Sequence, residues 1–303
     1  MNTRNLRFKS NRVRDIISLY HEELDALYGS GEVNVFCEML FEAFLGWDKV
    51  RLLTSKEETI DQSDMLRFHW ALEDLKRQRP IQHIIGYTDF CGCRIEVSPD
   101  VLVPRPETEE MVEWIEGHTP QSLRDSYPTL GERPVSILDL CTGSGCIAIV
   151  LKKAFPGAEV TAVDILPKAL EIARENARSN GVEVCFIEGD VLGGVGGLKG
   201  RYGLIVSNPP YVMEKERTQM QRNVLDYDPA LALFVPDDDP LRFYKAIAEI
   251  AKRHLSPQGR LVVEINEALA KETCALLREH SFVPTVHNDF RGKQRWISAV
   301  WNQ

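Results

Sequence analysis

The stretch Ile137-Leu138-Asp139-Leu140-Cys141-Thr142-Gly143-Ser144-Gly145 decides the fold. An apolar run leads into a glycine turn, and the apolar residues from Cys146 to Leu151 then resume as a helix. Gly143 and Gly145 let the backbone approach a ligand with no Cβ in the way. Asp164 closes the next apolar run, 21 residues past Gly143. That is the spacing at which a carboxylate accepts hydrogen bonds from a ribose diol. Strand, glycine turn, helix, strand and acid in this order predict a nucleoside cofactor at the first switch point of an open sheet. The turn does not choose the cofactor, because Gly143-x-Gly145-x-x-Ala148 also fits the loose dinucleotide fingerprint. A structural turn with a solvated acid is the plain alternative. Asp190, followed by Val191, is either a contact to an adenine amino group or the cap of a loop or helix.

Working outward, short apolar runs at Val135–Leu140, Glu159–Asp164, Glu183–Ile187, Gly203–Ser207 and Arg260–Ile265 read as buried parallel strands. Helical stretches separate them, the clearest from Pro167 to Asn180, with Pro167 suited to a first turn and Gly181 to the position past the end. This alternation predicts a doubly wound α/β sheet with ligands outside the carboxyl ends of its strands. Phe282–His287 and Trp296–Trp301 read as an antiparallel hairpin closing the sheet. Gly193–Gly200 lacks the context of a phosphate loop and reads as a surface loop.

The start of the chain differs. Val13, Ile16, Ile17, Tyr20, Leu24 and Leu27 recur at helical spacing up to Gly29, and Val35, Phe36, Met39, Leu40, Ala43 and Phe44 repeat the pattern up to Gly46. A third helix is expected from about Ser63 to Arg77, with Leu66, Trp70 and Leu75 among its apolar positions. Tyr87 to Pro106 mixes β-prone pieces (Arg94–Val97, Val101–Val103) with Pro99, Pro104 and Pro106, so it reads as hairpin or connector. A helix resumes from Thr108 to Ile115.

Lys and Arg total 36 against 45 Asp and Glu, a net charge of −9 over 303 residues. Hydrophobic residues at 44% place the chain among globular proteins rather than disordered ones. The acidic balance argues against a surface that tracks a nucleic-acid backbone. No apolar run approaches the roughly 20 residues needed to span a bilayer. Arg4, Arg7, Lys9, Arg12 and Arg14, with no acid among them, form a basic lead-in to the first helix or else a transit segment. The seven cysteines are scattered and show no zinc spacing, so reduced thiols, no metal and a cytoplasmic location are expected.

Ser207-Asn208-Pro209-Pro210-Tyr211 follows the fourth strand. Two prolines remove two N–H donors and leave a carbonyl-rich turn. Asn208 Oδ1 and the Pro209 carbonyl suit a planar amino or amide group that donates two hydrogen bonds, and the Tyr211 ring suits stacking on that plane. The competing reading is a Pro-Pro strand terminator with an Asx-turn.

Asp139-x-Cys141-x-Gly143-x-Gly145, Asp164, Asp190 and Asn208-Pro209-Pro210-Tyr211 together resemble the Rossmann-like S-adenosylmethionine methyltransferases of planar nitrogen. Arg79-Pro80-Ile81-Gln82-His83-Ile84-Ile85-Gly86, Val103-Pro104-Arg105-Pro106-Glu107-Thr108-Glu109 and Tyr227-Asp228-Pro229-Ala230-Leu231-Ala232-Leu233-Phe234 narrow this. They are similar to the release-factor glutamine methyltransferase family (PrmC/HemK). The resemblance spans nearly the whole chain after about residue 75, and the Pro-Arg-Pro-Glu-Thr segment is its specific part. Cys141 stands where that family usually has its first glycine, so either its φ is negative or its side chain is tolerated. Asp228 stands where the family often has Glu.

The resemblance implies a Rossmann-like methyltransferase sheet, mostly parallel, with a C-terminal antiparallel hairpin. A helical substrate-recognition domain over 1–85 and a hairpin connector over 86–106 would precede a catalytic domain over 107–303. The implied reaction moves a methyl group from S-adenosylmethionine, leaving S-adenosylhomocysteine, to the glutamine amide of the Gly-Gly-Gln loop in class 1 peptide release factors. Asn208, Pro209, Pro210 and Tyr211 would be catalytic. Asp139, Cys141, Thr142, Gly143, Ser144, Gly145, Asp164, Asp190, Val191 and Asn208 would hold the cofactor. Arg105, Pro106, Glu107 and Thr108 are either a lid over cofactor or glutamine or a rigid connector. A monomer with no membrane or sequence-specific nucleic-acid partner is expected. A ribosomal-protein glutamine methyltransferase and a nucleic-acid adenine methyltransferase are the alternatives, the second disfavoured by the −9 charge.

Overall fold

A computed structural model describes residues 8, 10–118 and 136–302. Arg4, Arg7 and Lys9 of the basic start, and Val135 of the expected first strand, lie outside the described residues. The chain forms two compact units. One is Met1–Gly86 with Gln221–Tyr227, and the other is Tyr87–Met220 with Asp228–Gln303.

The first unit contains α1 (Val13–Tyr28), α2 (Ser30–Leu45), α3 (Lys49–Thr54), α4 (Gln62–Lys76) and α5 (Ile81–Ile85). Gly29 ends α1 with its N–H on the Asp25 carbonyl. Gly46 ends α2 at φ +67°, a left-handed cap for which glycine carries no Cβ penalty. Ile16, Tyr20, Leu24, Leu40, Phe41 and Phe68 are buried together, with the Phe41 and Phe68 rings 4.5 Å apart. The buried Tyr20 hydroxyl donates to the Phe68 carbonyl at 2.6 Å, which satisfies it within the apolar core. The expected third helix is α4, but Leu66 and Trp70 are 39% and 61% exposed. Its inward face is Met65, Phe68, Ala71, Leu72 and Leu75. Position 65 and its partners at three- and four-residue steps fill the core, so residues 66 and 70 fall about a hundred degrees round the helix. The short helices α3 and α5 were not expected from the sequence.

In the second unit, β1 (Tyr87–Phe90) and β2 (Cys93–Glu96) form an antiparallel hairpin. Val101–Val103, expected as a strand, joins no sheet among the described residues, although Val101 and Val103 are buried. Pro99 and Pro104 flank it and remove the donors that a ladder needs. Then come α6 (Pro106–His118), β3 (Ser136–Leu140), α7 (Cys146–Ala154), β4 (Glu159–Asp164), α8 (Pro167–Ser179), β5 (Cys185–Glu188) and β6 (Tyr202–Ser207). Beyond these lie β7 (Val212–Met213), α9 (Arg222–Tyr227, part of the first unit), α10 (Ala230–Leu233) and β8 (Phe234–Val235), with β7 and β8 paired in parallel. The chain closes with α11 (Arg242–His254), β9 (Leu255–Glu264), α12 (Ala270–Glu279), β10 (Phe282–Asn288) and β11 (Gln294–Trp301).

The main sheet has the order β10-β11-β9-β6-β3-β4-β5. Its last five strands in that order are parallel, while β11 runs antiparallel to β9 and β10 antiparallel to β11. This is the mostly parallel sheet with a terminal hairpin that the sequence predicts. Alternate residues feed opposite faces: Leu204, Val206 and Val262 join the apolar layer that includes α6, α7 and α8 residues, whereas Ile205, Leu261 and Val263 join the layer that includes α11 and α12 residues. The Gly193–Gly200 stretch carries turns with no helix or strand, and Val195 packs so close to Gly189 that a Cβ there would sit 3.0 Å from it.

Candidate active site

The strand order puts the carboxyl ends of β3, β4 and β6 side by side: β4 ends in Asp164, and the predicted Cys141 and Asn208 directly follow β3 and β6. At the end of β3 the chain makes the glycine turn. Thr142 N–H donates to the Val163 carbonyl of β4 and Gly145 N–H to the Thr142 carbonyl, each at 2.9 Å. Asn176 of α8, fully buried, donates to the Ser144 carbonyl at 2.9 Å and to the Glu96 carbonyl at 3.0 Å. It clamps the turn from behind, a role its place inside an amphipathic helix does not announce. Gly145 has φ +82°, and a Cβ on it would meet the Ala173 Cβ at 3.0 Å, so α7 and α8 pack together only through a glycine. Gly143 also has positive φ, but a Cβ there meets no protein atom within 4 Å. Since Gly143 lines the cleft, the space it leaves belongs to a ligand.

Cys141 has φ +61°, in the left-handed region. Of the two sequence readings, a negative φ is therefore corrected and toleration of the side chain holds. An L-residue there costs about 1–2 kcal/mol. The thiol packs against the apolar layer that includes α11, and burial raises its pKa.

The cleft is lined by Cys141, Thr142, Gly143 and Ser144 from the turn, Asp164 from β4, Asp190 and Val191 after β5, and Asn208 and Pro210 after β6. Thr108 reaches it from α6. Asp139 lies underneath, fully buried, and accepts from the Thr142 hydroxyl; its Oδ1 has no hydrogen-bond partner. Burial pushes its pKa up to about 7 against the pull of that hydroxyl. Asp164 Oδ2 accepts from Gly143 N–H at 2.8 Å and Oδ1 from Leu166 N–H at 2.9 Å. Each oxygen keeps a second lone pair for a ligand diol. Burial raises this carboxyl while the backbone donors hold it down. Asp190 caps Leu192 N–H at 2.8 Å and also lines the cleft.

The Asn-Pro-Pro-Tyr turn is anchored by Ser207, whose buried hydroxyl donates to the Leu140 carbonyl at 2.6 Å. Asn208 Nδ2 donates to the Thr108 hydroxyl at 3.1 Å. Thr108 in turn donates at 2.6 Å to Glu264 Oε2, at the end of β9. The Tyr211 hydroxyl donates to the other oxygen, Glu264 Oε1, at 2.8 Å. Tyr211 is thus drawn toward Glu264 and is absent from the cleft lining, as is Pro209. Sequence reading overlooked Glu264, which is 1% exposed and raised in pKa by burial. It also overlooked Asn266, which donates to the Tyr211 carbonyl at 3.2 Å and to Glu216 Oε2 at 2.8 Å.

Of the Arg105–Thr108 segment, only Thr108 lines the cleft. Pro106 and Glu107 open α6. Arg105 pairs through Nη2 with Asp228, whose side chain is fully buried. Burial raises the Asp228 carboxyl and Arg105 opposes that rise. The pair fastens the segment before α6 to the one before α10. Among the described residues no group of three or more His, Cys, Asp or Glu gathers into a metal-binding set, and no helix is long and apolar enough to cross a membrane.

A family profile for the methyltransferase small domain matches residues 127–227, and one for the PrmC N-terminal domain matches residues 22–86. The release factor glutamine methyltransferase of Flavobacterium psychrophilum is 40% identical, covering 95% of this chain and 98% of that protein. The chain belongs to the release factor glutamine methyltransferase family. The family protein of Bacteroides thetaiotaomicron is 39% identical over 94% of this chain and 98% of its own length, and that of Chlorobaculum tepidum 35% over 89% and 90%. S-adenosylmethionine is the cofactor of such an enzyme, and the residues present fit it. A glycine turn leaves room at Gly143, a buried acid at Asp164 keeps acceptors for a ribose, and carboxylates around the turn complement a positively charged sulfonium.

Proposed function

We propose that this chain transfers a methyl group from S-adenosylmethionine to the side-chain amide nitrogen of the glutamine in the Gly-Gly-Gln loop of class 1 peptide release factors, in the cytoplasm. The observation that carries the reading is the acceptor turn at Asn208, which shares one cleft with Gly143 and Asp164 in a chain of this family. When bound, the cofactor supplies an electrophilic methyl on sulfur. The rest falls to the protein. An amide nitrogen is a poor nucleophile because its lone pair is delocalised, so the site has to align and polarise it.

Asn208 Oδ1 and the Pro209 carbonyl take the two amide hydrogens of the substrate, which raises electron density on nitrogen and aims it. Support for this comes from the tie between Asn208 Nδ2 and Thr108, which leaves Oδ1 as the end available to a substrate. Pro210 stiffens the turn, and Tyr211 holds it to Glu264. Asp164 and the turn from Asp139 to Gly145 hold the cofactor, with Asp190 and Val191 beside it. The helical unit recognises the release factor, and the Arg105–Thr108 segment positions α6 against the site.

Mass spectrometry of release factors, ribosomal proteins and DNA after incubation with labelled cofactor tests the substrate. Label on the Gly-Gly-Gln glutamine is expected, and label on DNA or a ribosomal protein alone overturns the reading. Asn208→Ala should lower kcat by about 10²–10³, as loss of a positioned polar group does, with S-adenosylmethionine affinity retained by calorimetry.

A further inference from the structure

We infer that Glu264 is a positioning residue that sets, through the Thr108 hydroxyl, which end of the Asn208 amide faces the substrate. The inference deepens the proposed reaction and rests on it for its kinetic consequence, though not for its geometry. An Asn side chain presents two ends of almost equal shape and opposite polarity, and the reaction needs the acceptor end outward. Something has to read the difference.

The reader is a one-proton argument. Thr108 has a single hydroxyl proton, and an ionised carboxylate can only accept. While Glu264 is ionised, the 2.6 Å contact to its Oε2 commits the Thr108 proton to Glu264. The hydroxyl oxygen is left as an acceptor on its other side, 3.1 Å from Asn208 Nδ2. Turning the Asn208 amide over would face its oxygen to the lone pairs of Thr108 with no proton between them. Tyr211 closes the other end of the chain by donating to Oε1 at 2.8 Å, so both carboxylate oxygens receive protons and neither gives one. All of this lies on rigid elements: Thr108 on α6, Asn208 just past β6, and Glu264 ending β9.

Putting a proton on Glu264 reverses the logic. The carboxyl could then donate to Thr108, and Thr108 would donate to Asn208, which drives Oδ1 inward and leaves an NH₂ group facing the substrate amide. Glu264→Gln has the same effect when its amide nitrogen faces Thr108; with that nitrogen turned to Tyr211, the tyrosine loses its acceptor and its hold on the turn instead. The groups that face this carboxyl are Thr108 and Tyr211 by hydrogen bond, Glu107 and Arg295 by charge, and Tyr244, whose hydroxyl donates to the Glu264 backbone carbonyl at 3.3 Å. Arg295 is itself engaged by Asp289 at 2.9 Å and by Glu267 at 3.9 Å. Burial and Glu107 favour the protonated acid, while the two hydroxyls and Arg295 oppose it.

The test combines kinetics with a structural probe on the full-length protein. With saturating S-adenosylmethionine and a release factor as acceptor, wild-type kcat should fall on the acid side as Glu264 takes up its proton. Glu264→Gln should lower kcat by about 10²-fold, on the scale of one lost positioned acceptor, and erase that acid limb, while the cofactor Kd by calorimetry stays within a few-fold. Thr108→Val should lose kcat similarly and Thr108→Ser should restore it. In parallel, the Asn208 Nδ2 signal in ¹H–¹⁵N spectra, assigned by its loss in Asn208→Asp, should move with the Glu264 titration and cease to move in Glu264→Gln. An Asn208 signal indifferent to pH and to Glu264→Gln overturns the inference. So does a Glu264→Gln enzyme with wild-type kcat and an unchanged acid limb. A wild-type enzyme that does not label release factors overturns the proposed substrate instead, and the spectra still decide the role of Glu264.

Discussion

Asp139 gives a quantitative test of how the floor of the site is built. It is fully buried, one oxygen has no hydrogen-bond partner, and burial pushes its pKa from 3.8 to about 7. At 1.36 kcal/mol per pH unit this favours the protonated form by on the order of 4 kcal/mol in the folded chain. Between about pH 4 and 7 the unfolded chain has lost this proton and the folded chain still holds it. Stability therefore falls as pH rises through that window and levels off above the folded pKa. Asp164, Asp228 and Glu264 are raised as well and act with the same sign, so the quantity to read is a difference between proteins. Asp139→Asn keeps an acceptor for Thr142 and removes the titration. Chemical denaturation of wild type and variant, without cofactor, at pH 5 and pH 8 should show the variant gaining on wild type by on the order of 3 kcal/mol at the higher pH. Calorimetry separates the transition of the sheet unit from that of the helical unit. Two curves that stay parallel within about 1 kcal/mol would refute the claim that a costly buried acid underlies the glycine turn.

Other perturbations follow from the same geometry. Gly145→Ala places a Cβ 3.0 Å from that of Ala173 at φ +82°, and should cost about 2–4 kcal/mol in urea denaturation together with cofactor affinity. Arg105→Ala leaves the buried Asp228 carboxylate without its cation; because Arg105 is a third exposed and water can enter, the loss should be about 2–3 kcal/mol by thermal melting, with Arg105→Ala/Asp228→Asn recovering part of it. Iodoacetamide mapping at pH 8 should label exposed Cys185 first, well before Cys37 and Cys146, whose thiols are buried and pushed up to about 12.

The glycine turn, Asp164 and the Asn-Pro-Pro-Tyr segment were readable because each is local: a few adjacent residues state both the backbone shape and the chemistry. The parallel strands were readable because apolar runs such as Gly203–Ser207 admit little else. Glu264 was not, since its partner Thr108 lies 156 residues away and the two meet only where the first turn of α6 comes against the end of β9. In the sequence Glu264 is one acid near the end of a buried strand. Asn176 hides for the same reason. The helices α3 and α5, of six and five residues, are shorter than the window in which a 3.6-residue period shows. Trp70 misled by its size, because burial in α4 follows angular position rather than hydrophobicity. At Cys141 the sequence allowed two backbones, and only the geometry of the turn chose the left-handed one.

The segment Gln221–Tyr227 has a consequence for how this enzyme can be recombined. It belongs to the helical unit, where the Tyr227 hydroxyl donates to the Arg77 carbonyl at 3.2 Å, yet it is encoded between the Asn-Pro-Pro-Tyr turn and Asp228. A compact unit written in two distant stretches cannot be exchanged between relatives by a single crossover near residue 86. A chimera that transplants only the five amino-terminal helices inherits a mismatched sixth one, so shuffling libraries need paired breakpoints, and natural variants of the two stretches should have travelled together.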